Sequence, residues 1–214
     1  MKRELTEILA GRFRVEDALT LTSSPRSGST WLAETLTTIP RSCFLAEPLH
    51  LGWVPEARAA GFSWRTWVSA DAKWPAGEHF LRSVFEGRVV NEITLERLNL
   101  DEVRKVRRLI VKFVRVGRLL PWLCRTFPLP APILLIRHPC AVVTSQLKAG
   151  KWNDVSTVDA PGYVHEFPAF QTALAQLNSL EERLAAQWAL DQLPPLLEVQ
   201  SRPWQMVTYE ELNT

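Results

Sequence analysis

Residues Thr20 to Leu32, TLTSSPRSGSTWL, constrain the fold more than any other stretch. The first residues alternate apolar and hydroxyl-bearing side chains, which suits a short buried strand. Ser23-Ser24-Pro25-Arg26-Ser27-Gly28-Ser29-Thr30 follows, small and polar, and Trp31-Leu32-Ala33-Glu34-Thr35-Leu36 then places apolar residues at helical spacing. A strand, a small-residue loop and a helix start together make an anion cradle. The N–H groups of a helix N-terminus lack intrahelical acceptors and carry partial positive charge. The alternative is a serine-rich turn that merely precedes a helix.

The loop has the spacing of a Walker A sequence, GxxxxGK[ST], with two changes. Ser23 stands where the first Gly would be and Ser29 where the Lys would be. That Lys normally reaches the β- and γ-phosphates of a nucleoside triphosphate. Here the nearby cation is Arg26, so the loop suits a phosphate-like group but is poorly equipped for ATP. A P-loop kinase or NTPase would also need a Mg²⁺-binding acid after a strand, and no convincing Asp follows residues 109–114 or 133–136.

The rest of the chain reads as strands alternating with helices, the pattern of an α/β fold with a central parallel sheet flanked by helices. Residues 2–13 form an amphipathic helix, 18–22 the first strand, and the helix after the loop runs to Ile39, ahead of Pro40. Cys43 to Ala46 is a second strand that delivers Glu47-Pro48-Leu49-His50 at its C-terminal end, where open α/β sheets bind ligands. Residues 52–100 read as a helical insertion or lid, with helices at 77–86 and 101–107. Strands follow at 108–114 and 133–136, with helices at 118–127 and 140–149. Residues 150–175 read as irregular, 177–200 as a long helix broken near Pro194-Pro195, and 205–209 as a last strand before a helix start. With 214 residues and 46% hydrophobic composition, one domain spanning 1–214 is expected. The net charge of +2 argues against a nucleic-acid partner. Cys43, Cys124 and Cys140 lack metal-ligand spacing and fit a reducing, cytoplasmic setting. The charged N-terminus has neither a signal sequence nor a membrane span. The nine tryptophans suit core packing or an aromatic acceptor site.

A second anion site is suggested by Arg137, at the exit of strand 133–136, and Ser145, eight residues on. On a helix, Ser145 lies about 1.5 turns in, where the pair can grip a phosphate from two sides. Each alone could equally be a surface salt-bridge partner or a helix-surface hydroxyl.

Together these segments resemble the P-loop-type sulfotransferases that use 3′-phosphoadenosine 5′-phosphosulfate (PAPS). Pro25-Arg26-Ser27-Gly28-Ser29-Thr30-Trp31 is similar to that family's 5′-phosphosulfate loop. Ile136-Arg137-His138-Pro139 through Ser145 is similar to its 3′-phosphate motif, and Thr208-Tyr209-Glu210-Glu211-Leu212 to the segment whose Tyr lies by the adenine. Phe44-Leu45-Ala46-Glu47-Pro48-Leu49-His50 and Val111-Lys112-Phe113-Val114-Arg115 bring the match nearer to carbohydrate and bacterial members than to cytosolic phenol and steroid enzymes. His138 and Cys140 depart from common residues of the motif, and Val114 stands where cytosolic enzymes carry a catalytic His. The family usually continues into a basic closing loop that this sequence does not contain, so a fragment or short form is expected.

The resemblance implies sulfuryl transfer from PAPS to a carbohydrate or small-molecule hydroxyl, leaving adenosine 3′,5′-bisphosphate and requiring no metal. Glu47 is the candidate base, or else an N-cap or salt-bridge partner. His50 is the second candidate, or else a packing residue. Arg26 is expected at the phosphosulfate. Lys112 is expected at the leaving oxygen, or else beside an acidic partner in the core. Arg137 and Ser145 are expected at the 3′-phosphate, and Tyr209 by the adenine. The competing non-enzymatic reading is a truncated sulfotransferase-like module that binds without transfer. Oligomeric state is not legible.

Overall fold

The computed structural model of the protein describes residues 2–90, 103–151, 161–198 and 203–213. Its centre is a five-stranded sheet of β1 (Leu19–Ser23), β2 (Ser42–Ala46), β3 (Arg108–Phe113), β4 (Ile133–Ile136) and β5 (Gln205–Thr208), in the order β2-β3-β1-β4-β5. Every pairing is parallel. A parallel sheet needs apolar cover on both faces, which is why β1 and β3 are buried almost throughout.

Alternation along the strands divides the core. Cys43, Leu45, Leu109, Val111, Phe113 and Leu134 join a large cluster on one face. That cluster includes Phe80, Leu81, Val84 and Phe85 of α4 (Pro75–Phe85), and Leu120, Trp122 and Leu123 of α5 (Leu120–Thr126). Leu21, Phe44, Ala46, Ile110 and Leu135 face the other way, against Leu32 and Ala33 of α2 (Ser29–Leu36). Lys112 has the same parity as Ile110, so its side chain is directed to the α2 face, where the loop lies.

Helix starts follow local chemistry. Proline opens α4 and α6 (Pro139–Ala149), where its missing N–H is unneeded. A Ser179–Glu182 capping box opens α9 (Leu180–Leu197). Between them lie α7 (Pro161–Glu166) and α8 (Ala169–Ala175), and α10 (Tyr209–Leu212) closes the described chain. At the N-terminal end come α1 (Lys2–Leu9) and, beyond β2, the short α3 (Pro55–Ala59).

Several expectations change. The helix at 2–13 stops at Leu9. The helix after the loop stops at Leu36 rather than Ile39: the hydroxyls of Thr35, Thr37 and Thr38 donate to nearby carbonyls and compete with helical hydrogen bonding. Residues 161–175, read as irregular, are mostly α7 and α8. The long helix is not broken at its prolines: α9 runs through Pro194 and Pro195, whose second ring is buried in the packing that holds it. The expected helix at 101–107 begins outside the described residues, and Arg104 to Arg107 form no helix. Residues 91–100 of the expected insertion also lie outside them. Among the described residues, no helix is long and apolar enough to cross a membrane.

Candidate functional site

The site forms at the C-terminal edge of the sheet, where the chain's direction of strand addition reverses. From β1 the chain builds β2 and β3 on one side and β4 and β5 on the other. Such a reversal opens a crevice beyond the strand ends. A cavity of about 410 Å³ lies there. It brings together Pro25, Arg26, Gly28, Ser29, Thr30, Glu47, His50, Lys112, Arg137 and Ser145, most of the residues singled out from the sequence.

The loop is held from two helices. Gln192 of α9 donates to Ser24 Oγ at 2.7 Å, and Gln146 of α6 donates to the Pro25 carbonyl at 3.2 Å. Arg26 and Gly28 adopt left-handed backbone, φ 71° and 88°. Glycine is required at 28 for a second reason: a Cβ there would stand 2.4 Å from Tyr209 Cε2. The turn delivers Ser29 and Thr30 at the start of α2, where both line the cavity and where the first N–H groups of a helix lack intrahelical acceptors. Ser27 points inward instead, fully buried, and its hydroxyl has no hydrogen-bond partner among the described residues.

Two charged groupings flank the loop. On one side Arg26 Nε donates to Ser145 Oγ at 3.0 Å, and Arg137 donates to the Arg26 carbonyl at 3.0 Å. The Arg137 guanidinium also covers the Tyr209 ring at 4.4 Å, and Trp31 meets that ring edge-on. Trp31 and Tyr209 thus form a brace behind the loop and do not line the cavity. Arg26, expected at the phosphosulfate, turns its side chain toward Ser145.

On the other side Lys112 Nζ lies 3.0 Å from Thr30 Oγ1 and 3.3 Å from Glu47 Oε1. Arg115 takes the second carboxylate oxygen at 3.0 Å. Parallel register sets Lys112 beside Ala46, so the residue after β2 reaches it, and the Glu47 N–H donates to the Lys112 carbonyl. Both the acidic partner foreseen for Lys112 and the salt bridge foreseen for Glu47 are therefore present. Glu47 holds φ 46°, an uncommon conformation for a residue with a side chain, of the kind that concentrates at functional sites.

His50 stacks on Trp53 at 3.6 Å and meets Trp64 edge-on at 4.9 Å. Burial, aided by the Arg115 charge, lowers its pKa, against a smaller opposing pull from Glu47. The imidazole is thus favoured in its neutral form, and its Nδ1 has no partner among the described residues.

Four further residues line the cavity without a site role expected from the sequence: Trp53, Val114, Arg115 and Lys151. Arg115 had a legible signal, a basic residue just past a buried strand. Trp53 had only its position three residues after His50. Deeper in, Asp191 is held by Arg118 at 2.8 Å and Arg65 at 3.5 Å, all three nearly buried. Burial pushes the Cys43 and Cys124 thiols up to about 12, so both are inert packing groups at neutral pH. Among the described residues, no cluster of His, Cys, Asp and Glu could hold a metal.

A family model described as the sulfotransferase family matches residues 19–214. Among solved structures, the sulfotransferase domain from the curacin biosynthetic pathway is similar at a TM-score of 0.46 and 19% identity, over 93% of this chain and 69% of that one. No curated protein matches the chain.

Proposed function

The chain belongs to the sulfotransferase family, and from that premise we propose that it transfers a sulfuryl group from PAPS to an acceptor hydroxyl on a carbohydrate or other small molecule. The observation that carries the reading is Lys112, a buried cation set between the loop hydroxyl of Thr30 and the Glu47 carboxylate, at the mouth of an anion cradle. Such an arrangement supports the reading because it offers positive charge to answer the negative charge that develops on a leaving phosphate, with a proton acceptor beside it.

When bound, the donor supplies an electrophilic sulfuryl group and a phosphate leaving group. The loop N–H groups at Gly28 to Thr30 hold the 5′ end. Arg137, Ser145 and the turned-in Arg26 hold the 3′-phosphate, for which guanidinium forks are suited. The Arg137 Nε, which has no hydrogen-bond partner among the described residues, fits this role. Lys112 steadies the leaving oxygen. Glu47 takes the acceptor proton after exchanging one of its two cation contacts for the hydroxyl, and His50, favoured in its neutral form, is the second proton acceptor. In this reading residues 1–214 act as one domain, and residues beyond His50 shape the acceptor side.

The test is release of adenosine 3′,5′-bisphosphate from PAPS in the presence of a mixed pool of sugars, alcohols and phenols. Acceptor-dependent release that falls at least about a hundredfold in Lys112→Ala is expected. Tight nucleotide binding without release for any acceptor would leave a binding module, and preferential binding of ATP with Mg²⁺ would overturn the donor assignment.

A further inference from the structure

The cavity wall opposite the loop has a composition that specifies more than a hydroxyl. The apolar side chains of the whole cavity are Pro25 of the loop and, facing it, Trp53 and Val114, and the rest of the lining is polar, charged or glycine. Trp53 is 38% exposed, although His50 covers one of its faces in a near-parallel stack with an interplanar angle of 11°. An indole that lines the cavity and is backed on one face by imidazole is a rigid platform. Trp64, 40% exposed, stands edge-on to the same imidazole, and the Arg115 guanidinium lies 4.7 Å over its ring. Arg115 is thereby fixed from below by an aromatic face and at one N–H by Glu47, which leaves further donors of its fork for a ligand.

We infer that Trp53 is the stacking platform of the acceptor subsite, and that the acceptor presents its hydroxyl from a pyranose ring. The inference rests on the sulfuryl-transfer reading of the cavity and names the substrate class it leaves open. A pyranose has one face of C–H groups, which packs on an indole, and a perimeter of hydroxyls, which serve as partners for charged groups. The site offers one apolar face and a charged perimeter of Glu47, Arg115 and Lys112. A flat phenolic ring needs the opposite, two apolar walls, and would leave these charged groups desolvated without partners, which is costly. Glu47 and Trp53 line the same cavity, and Glu47 and His50 lie in the same turn, where the His50 N–H donates to the Glu47 carbonyl at 2.9 Å, so a ring stacked on Trp53 occupies the space that Glu47 borders. Trp53 is then a binding and specificity residue, and Trp64 a positioning residue that acts through Arg115.

Saturation-transfer NMR on the full chain tests this, with methyl β-glucopyranoside and methyl β-galactopyranoside as sugar probes and 2-naphthol as the flat aromatic probe. Each is measured with and without saturating adenosine 3′,5′-bisphosphate. The expected result is saturation transfer concentrated on the C–H protons of one sugar face. It is abolished in Trp53→Ala, with sugar affinity weakened about tenfold, and kept in part in Trp53→Phe, which retains a ring. Partial retention in Trp53→Phe separates a lost platform from a misfolded chain. Sugar signals unchanged in Trp53→Ala, or a Trp53-dependent signal from 2-naphthol with silent sugars, would overturn the inference. Failure of the nucleotide to bind while the sugar contact persists would fail the donor reading instead.

Discussion

Removing Glu47 should destabilise this protein more than removing Lys112, although each removes one end of the same ion pair. Lys112 has 4% of its side chain exposed, Glu47 19% and Arg115 14%. At separations of 3.3 and 3.0 Å, each pair carries roughly 5 kcal/mol of Coulomb attraction at an effective dielectric of about 20, most of it offset by the cost of desolvation. In Lys112→Met, Glu47 keeps Arg115, so the expected loss is about 1–2 kcal/mol. In Glu47→Gln, two nearly buried cations lose one shared carboxylate, and the expected loss is about 3–5 kcal/mol. The double variant should lose less than the sum of the two, since it removes the stranded charge along with its partner. Urea denaturation of the four proteins at neutral pH, with m-values compared, reads these differences directly. Nucleotide should behave oppositely: adenosine 3′,5′-bisphosphate brings negative charge to the cations, so it should stabilise Glu47→Gln by more than it stabilises the native chain. Equal stability losses in the two single variants, or a greater loss in Lys112→Met, would refute the view that Glu47 is the shared counter-ion of the site.

Gly28→Ala should destabilise by about 1–3 kcal/mol and weaken nucleotide binding, because it opposes both φ 88° and the Tyr209 ring; adding Tyr209→Ala should restore only the steric part, as read by thermal unfolding. Arg137→Ala should reduce the preference for adenosine 3′,5′-bisphosphate over adenosine 5′-phosphate by about tenfold or more in calorimetry. A third expectation concerns pH. His50 is held neutral, with its pKa below the ordinary value of 6.5, so the unfolded chain binds its proton more readily than the folded one. Its contribution is fully present above about pH 6.5 and is lost as pH falls from there through the lower folded value. Urea stability of His50→Gln should therefore depend less on pH over that window than the native chain, with Arg115, Glu47 and the two flanking tryptophans left in place. Asp191→Asn should cost about 3–5 kcal/mol by thermal or urea unfolding, since it strips a nearly buried carboxylate from Arg118 and Arg65.

The sheet was legible because its strands are apolar runs of the right length, and the Ile133–Ile136 strand falls where the pattern places it. The loop was legible because small residues and a left-handed glycine leave few alternatives. Lys112 was legible because an isolated cation inside an apolar strand has to be answered by an anion. The aromatic wall was not legible. Nothing local separates Trp53, which faces the cavity, from Trp122, which is wholly buried; only the turn after β2 does. The side-chain direction of Arg26 was equally hidden, because it depends on a left-handed residue and on a serine 119 positions away. The prolines of α9 misled for a related reason: helix-breaking propensity is local, whereas the packing that holds Pro195 is tertiary.

Asp191 and Gln192 are neighbours on α9, yet Asp191 is bound to Arg118 and Arg65, while Gln192 is bound to Ser24 in the loop. A shift of a single residue along a helix is about 1.5 Å of rise and about 100° of rotation. No such shift could keep both attachments, so α9 works as a two-keyed bolt whose register is locked at one point. Substitutions that loosen the arginine cluster should therefore be felt in the loop at Ser24 as lost order.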